Sequence, residues 1–157
     1  MTTNDSYPLR ALGRVDGGRT EWVEDDWADV EAAIRLDATM FEPDTTTGLE
    51  HFSHLEVVFL FDRVDPDKIN LRPRPARGNP EWPPVGVFAH REPFRPNRLG
   101  VSRCRLLAVD GLTLRVAGLD ALDGTPVLDV KPYLAEFGAR GTVTQPGWVD
   151  DLMAEYY

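Results

Sequence analysis

The sequence predicts a mainly β fold: one small barrel-like domain over residues 1–157, finished by a short C-terminal helix. Three observations carry this. Arg103 to Gly118 reads RCRLLAVDGLTLRVAG, where Asp110-Gly111 is the dipeptide of a type I′ hairpin turn between two β-rich runs. Phe52 to Asp62 reads FSHLEVVFLFD, whose unbroken Val57 to Phe61 run suits a strand buried on both faces. Turn signals recur at short spacing, and strands do not alternate with amphipathic helices, so the six or seven expected strands close on one another.

The elements follow in order. Tyr7 to Arg14 is expected as a first strand, stopped by Gly17-Gly18. Glu21 to Asp29 is acidic, with Trp22 and Trp27 embedded, and Val30 to Leu36 fits either a helical turn or a strand. Phe41 to Thr47 is a loop. Asp65 to Pro84 is rich in proline and irregular, and loops of that length inside a compact domain tend to be functional. Val85, Val87 and Ala89 alternate with Gly86, Phe88 and His90 as a strand would. Asp123-Gly124 makes a second tight turn before Val127, Leu128 and Val130, a strand ended at Pro132. Trp148, Leu152 and Tyr156 recur at helical spacing, and their apolar stripe is expected to face a second copy of the chain.

Composition narrows the class. Hydrophobic residues make up 42% of the chain, and no apolar run is long enough to cross a membrane. The polar start MTTNDSY does not read as a signal peptide. The single cysteine, Cys104, rules out an internal disulfide and suits a reducing compartment, so a cytoplasmic location is expected. Neither CxxC nor HExxH spacing occurs, so no metal site is expected. GxGxxG and the P-loop motif are also missing, which argues against those nucleotide folds.

Charge is uneven. The net charge is −9, yet Arg72 to Arg105 holds eight arginines against Glu81 and Glu92, a local +6 that leaves −15 for the rest. An acidic protein with one basic stripe does not bind nucleic acid indiscriminately, but the stripe suits a carboxylate, a phosphate or an RNA backbone. At its centre lies VGVFAHREPFRPNRLG. Pro93 and Pro96 stiffen this loop while Arg91, Arg95 and Arg98 crowd it with guanidinium donors, a combination suited to an anionic or hydrogen-bond-rich ligand.

Four blocks together resemble one family: GLEHFSHLEVVFLFD, VGVFAHREPFRPNRLGVS, VAGLDALDGTPVLDVKPY and QPGWVDDLMAEYY. This pattern, from about Leu9 to the end, is similar to the TsaA-like, S-adenosylmethionine-dependent methyltransferases. The best-known members methylate the exocyclic amine of threonylcarbamoyl-adenosine in tRNA. The resemblance implies a β-barrel-like domain and S-adenosylmethionine held between the proline-arginine loop and the DGTP turn. It also implies a homodimer with the site near its interface. The chain departs from the pattern at Glu56, where tryptophan is usual, at Asp62, where histidine is common, and at His90, Glu92 and Arg98. Set against longer members, the pattern is expected to stand without their C-terminal extension.

Chemistry assigns tasks within those two segments. The amino-acid carboxylate of the cofactor needs guanidinium or backbone N–H, which Arg91, Arg95 and the Asn97, Leu99 and Gly100 backbone offer. A ribose diol needs a carboxylate, which Asp120 or Asp123 supplies. Adenine needs an apolar slot beside backbone donors, matched by Phe88, Leu119, Leu122 and the Gly124-Thr125 turn, and Ala89 is a further cofactor-binding candidate next to Phe88. A sulfonium prefers an aromatic face such as Phe94. His90 belongs to the same loop. His54, His90 and Asp123 are the candidate proton acceptors. Arg95→Ala is expected to weaken binding, and Arg19→Ala, taken as a surface change, is expected to do nothing. Two other functions fit the same residues: methyl transfer to a small molecule, and a nonenzymatic module that binds S-adenosylmethionine.

Overall fold

The computed structural model describes residues 5–157; the first four residues of the polar N-terminal stretch lie outside the described residues. Six antiparallel strands form a closed barrel: β1 (Gly13–Asp16), β2 (Glu31–Leu36), β3 (His54–Leu60), β4 (Leu99–Asp110), β5 (Thr113–Ala117) and β6 (Pro126–Pro132). Around the ring they run β1-β2-β5-β4-β3-β6, with β6 returning to β1. A short helix, α1 (Gly147–Met153), follows.

Period-two alternation builds the barrel interior. Leu55, Val57 and Phe59 of β3 point inward and are buried, while Glu56, Val58 and Leu60 between them are half-covered. The apolar run of β3 is thus buried on one face only, because its outer face carries loops rather than a second layer. Val15, Ile34, Cys104, Leu114, Val116 and Val127 complete the core. A Cβ at Gly100 would lie 2.4 Å from the Phe59 ring. Glycine there lets the largest inward side chain of β3 lie across β4.

β4 serves two neighbours. Its first half pairs with β3 from Leu99 to Arg105, its second with β5, and the register shifts between Leu106 and Ala108. Such an irregularity bends a long strand around a barrel corner. The β4–β5 hairpin stands where the sequence put it, but its two loop residues are Gly111 and Leu112, and only Gly111 has positive φ. It is therefore not a type I′ turn, which needs positive φ at both.

Three other expectations shift. β1 begins at Gly13, not Tyr7. Val30 to Leu36 resolves as strand β2. Val85 to His90 is no strand: Val85 makes one isolated bridge to Arg74, and Val87–Ala89 is a single 3-10 turn. The alternation there has no partner to serve, since a closed ring leaves no edge for a seventh strand.

Candidate active site

One large cavity, about 1140 Å³, lies outside the β3–β4 wall. Its floor is barrel: the outward Val101 and Arg103 of β4, met from the core by inward-pointing Phe59. Its sides are loops: Phe61 to Val64, Arg74 to Gly78, Ala89 to Phe94, and Asp120 to Leu122 with Thr125. Its cover is α1 and the tail, through Trp148, Val149, Leu152, Met153, Tyr156 and Tyr157.

Arginines fix these loops by reaching backbone carbonyls. Arg63 donates to the carbonyls of Thr20 and Asp123, both at 2.7 Å. Arg98 donates to Val64 and Arg95 to His90, at 3.1 and 2.8 Å. Arg91 donates to Val101 at 3.1 Å. Others meet carboxylates: Arg74 with Glu92, Arg77 with Glu24 and Asp25, Arg103 with Glu56, Arg105 with Asp29. Half of the basic stripe is thereby neutralised inside the molecule. Among the described residues Arg91, Arg95 and Arg98 donate to neutral carbonyls and have no carboxylate paired to them. The Asp25 hydrogen bond raises the Arg77 pKa, and the Glu56 hydrogen bond raises that of Arg103.

Backbone strain collects in the same region. Among the described residues the non-glycine residues with positive φ are Asp26, Arg77 and Arg98. Arg77 lines the cavity, Arg98 anchors a loop that lines it, and Asp26 holds the tail. Conformations of this kind cost of order 1–3 kcal/mol each and cluster at ligand sites.

Of the residues expected to hold a cofactor, Ala89, His90, Arg91, Phe94, Asp120, Leu122 and Thr125 reach the cavity wall. The others stand off it. Phe88 is 83% exposed on the outer side of its turn. Arg95 folds back onto its own loop at the His90 carbonyl. Asn97 is exposed, while Leu99 and Gly100 belong to β4. The Asp123 carboxylate accepts from the Gly17 N–H at 2.8 Å, and the Gly124 carbonyl accepts from Arg14 at 2.9 Å. That turn braces β1.

The histidines are placed as follows. His90 is buried, with Nε2 3.0 Å from the carbonyls of both Arg74 and Val85. Two acceptors require Nε2 to carry the hydrogen, so this ring nitrogen rivets the Arg74–Val85 bridge. His54 is exposed off the wall, its Nδ1 2.7 Å from the Ser53 hydroxyl. Among the described residues no three His, Cys, Asp or Glu side chains come close enough together to hold a metal ion.

Two sequence readings are overturned by packing. The Trp148, Leu152 and Tyr156 stripe is half-buried and turned onto the cavity, with the Trp148 ring 6.1 Å from that of Trp82 and tilted by 38°. It is not an open apolar face. Arg19 is no idle surface residue: it lies 4.5 Å over the Trp27 ring and donates to the carbonyls of Asp25 and Asp26.

Asp120 is the chemical centre of the wall. Tyr156 donates its hydroxyl to Asp120 Oδ2, while Oδ1 is buried with no hydrogen-bond partner among the described residues. Burial, then the Asp120 charge, pushes the Cys104 thiol and the Tyr157 phenol each up to about 12. Burial and the same charge raise Tyr156 further. Sequence reasoning missed Asp62, Arg63, Arg74, Arg77 and the tail tyrosines. The irregular Asp65 to Pro84 loop was the available signal for two of them.

A model of the tRNA-methyltransferase O N-terminal domain matches residues 24–139. A probable S-adenosyl-L-methionine-binding protein of Pyrococcus abyssi is 39% identical over 125 residues, which is 78% of this chain and 62% of that protein. A tRNA (adenine(37)-N6)-methyltransferase of Escherichia coli is 41% identical over 107 residues, 64% of this chain and 44% of the relative. The human enzyme of that name is 38% identical over 99 residues, and only 22% of its length is covered. The chain thus spans between a fifth and two thirds of the length of these relatives. The crystal structure of TrmO from Pseudomonas aeruginosa superposes with a TM-score of 0.74 and 28% identity, over 93% of this chain and 64% of that one. With the barrel and the matched span agreeing, the chain belongs to the family of tRNA-methyltransferase O N-terminal domains.

Proposed function

We propose that the cavity binds S-adenosylmethionine and that the chain transfers a methyl group to the exocyclic amine of an adenosine in tRNA. One observation carries this reading: the proline-arginine loop and the Asp120 to Leu122 segment with Thr125, far apart in sequence, form two sides of one cavity. Its volume of about 1140 Å³ is slightly above the roughly 300–1,000 Å³ of ordinary ligand sites, room for a cofactor and an acceptor base together. The wall fits the cofactor by donor type. Arg91 offers a guanidinium with no carboxylate partner among the described residues, Phe94 an aromatic face, Leu122 and Ala121 an apolar side. Asp120 offers a carboxylate oxygen that lacks a donor.

S-adenosylmethionine supplies an electrophilic methyl on a sulfonium. The protein's task is then mostly positioning, since in-line displacement rewards alignment above all. Asp120 holds the ribose hydroxyls, and Arg91 orients the amino-acid end. The acceptor amine must lose a proton. Asp62 is the wall carboxylate that neither a cation nor Tyr156 engages among the described residues, so it takes that proton. Arg95 and Arg98, whose charge stays uncompensated beside the cavity, meet the phosphates of the acceptor strand.

The test is transfer of radiolabelled methyl groups to tRNA from cells lacking their own methyltransferase, followed by mass spectrometry of nucleosides. An adenosine-derived nucleoside heavier by one methyl is expected. Tight binding of S-adenosylhomocysteine without any transfer favours a binding module instead; transfer to a small acceptor only moves the substrate, not the cofactor.

The same reading includes a homodimer and a cytoplasmic location. Exposed Phe88 beside the cavity supports a partner surface, replacing the C-terminal stripe, which is turned inward. Buried, reduced Cys104 is consistent with the location. Light scattering at micromolar concentration tests the dimer, and a monomer mass removes it.

A further inference from the structure

The tail is pinned where its last turn meets the barrel's neighbour loop. The Asp26 N–H donates to the Glu155 carbonyl and the Trp27 N–H to the Tyr156 carbonyl, each at 2.8 Å. Trp27 is wholly buried, with its indole N–H on the Val23 carbonyl at 3.0 Å, so this anchor is rigid. The Tyr156 N–H turns back to Met153, and its ring meets Tyr157 edge-on at 4.9 Å. From that fixed backbone the phenol reaches Asp120 Oδ2.

Asp120 itself sits in the Leu119 to Gly124 segment between β5 and β6, with no cation paired to it among the described residues. A carboxylate accepts about four hydrogen bonds; here Tyr156 fills one and Oδ1 receives none. A buried acceptor left without a donor costs free energy, and its persistence on a cavity wall marks the place of a ligand donor.

We infer that Tyr156 is a positioning residue: it fixes the Asp120 carboxylate by one oxygen and leaves the other for a hydroxyl of the bound nucleoside. The inference rests on the proposed cofactor site. It gives the tail a role in ligand binding beyond covering the cavity. Without the phenol the carboxylate rotates freely about its side chain and presents no fixed acceptor. Burial and the nearby charge keep the phenol protonated, so it is always the donor in this pair.

The experiment is calorimetric titration of S-adenosylhomocysteine and of its 2′-deoxy and 3′-deoxy counterparts into wild type, Tyr156→Phe, Asp120→Asn and the double variant. Tyr156→Phe is expected to weaken S-adenosylhomocysteine roughly fivefold to twentyfold. The deoxy compound lacking the contacted hydroxyl is expected to bind wild type and Tyr156→Phe alike. The double variant is expected to bind no more weakly than Asp120→Asn alone, because the two residues act through one contact. Comparing ligands within each variant keeps the readout independent of any loss of stability. Binding of S-adenosylhomocysteine to Tyr156→Phe within twofold of wild type overturns the inference. So does an equal loss for all three ligands, or a full additional loss in the double variant. If wild type binds the three ligands equally well, the hydroxyl contact is wrong while the cofactor site stands. If wild type binds none of them, the cofactor site itself falls, and this inference with it.

Discussion

The barrel interior and the cavity wall lie back to back on β3 and β4, yet they are built on opposite rules. Inside, Leu55, Val57, Phe59, Leu114, Val116 and Val127 are apolar and fully packed, and position follows from alternation. Outside, Arg63, Arg91, Arg95 and Arg98 tie loops together by donating to carbonyls. The first region gains from removing apolar area from water, a term indifferent to direction. The second depends on directed hydrogen bonds that water can replace. The barrel therefore carries the stability, while the wall carries the shape that a ligand meets.

The sharpest way to break this contrast is Phe59→Ala. It removes the largest inward side chain of β3 and leaves empty the space that the missing side chain of Gly100 opens for that ring. A loss of about 3–5 kcal/mol is expected in urea unfolding. A loss below about 1 kcal/mol would show that the core collapses and that the barrel is less tightly packed than its burial implies.

Alkaline pH probes the buried groups between the two regions. Cys104 titrates near 9 when unfolded and is raised to about 12 in the fold. A raised pKa adds stability that is complete below the unfolded value and fades as pH climbs toward the folded one. Unfolding free energy is therefore expected to fall from about pH 9 upward, by at most about 1.4 kcal/mol per pH unit from this group. Cys104→Ser should flatten that slope. An identical slope in the variant would assign it wholly to the tyrosines.

Arg91→Ala and Arg95→Ala separate direct from indirect action on the wall. Arg91 faces the cavity, and its loss is expected to weaken S-adenosylhomocysteine about tenfold or more with unfolding changed by less than about 0.5 kcal/mol. Arg95 holds the loop at His90, so Arg95→Ala is expected to weaken binding less, and to increase proteolysis in the Ala89 to Asn97 loop. Equal effects of both would show that the loop acts as one rigid piece. At the small end, exposed Arg10→Ala should change neither binding nor stability measurably, whereas Arg19→Ala should loosen the Asp25 to Trp27 turn.

Much of the barrel was legible in the sequence because period-two burial and turn glycines are local signals. The β4–β5 hairpin, strand β6 and the irregular Asp65 to Pro84 loop could all be read that way. Val85 to His90 misled because alternation describes a strand only when a neighbour exists, and ring closure is not a local property. At the site, Arg91, Phe94 and Asp120 were reachable from motif chemistry. Which of Asp120 and Asp123 faces the cavity was not, since both lie in the Leu119 to Gly124 segment and only long-range contacts distinguish them, Tyr156 for Asp120 and Gly17 for Asp123. Tyr156 was read as part of an apolar stripe because helical spacing reports a ring's period and not its hydroxyl's partner.

The barrel closes through very few pairs. β1 meets β6 only at Gly13 with Val127 and Arg14 with Pro126, against seven registered pairs between β3 and β4. Three bonds flank that seam: Leu12 N–H to Val127, Val15 N–H to Thr125, and Gly124 N–H to Val15. Joining opposite ends of the chain costs loop entropy that a tight hairpin does not. The seam is thus expected to zip last during folding and to breathe first in the native state. Amide hydrogens of Leu12, Val15 and Gly124 should exchange with deuterium well before those of Val57 and Phe59. Slower exchange at the seam would refute this order. Because Leu122 and Thr125 leave the seam directly for the cavity wall, a bound ligand clamps the same joint, and its occupancy should be readable at Leu12 as slowed exchange on the far side of the ring.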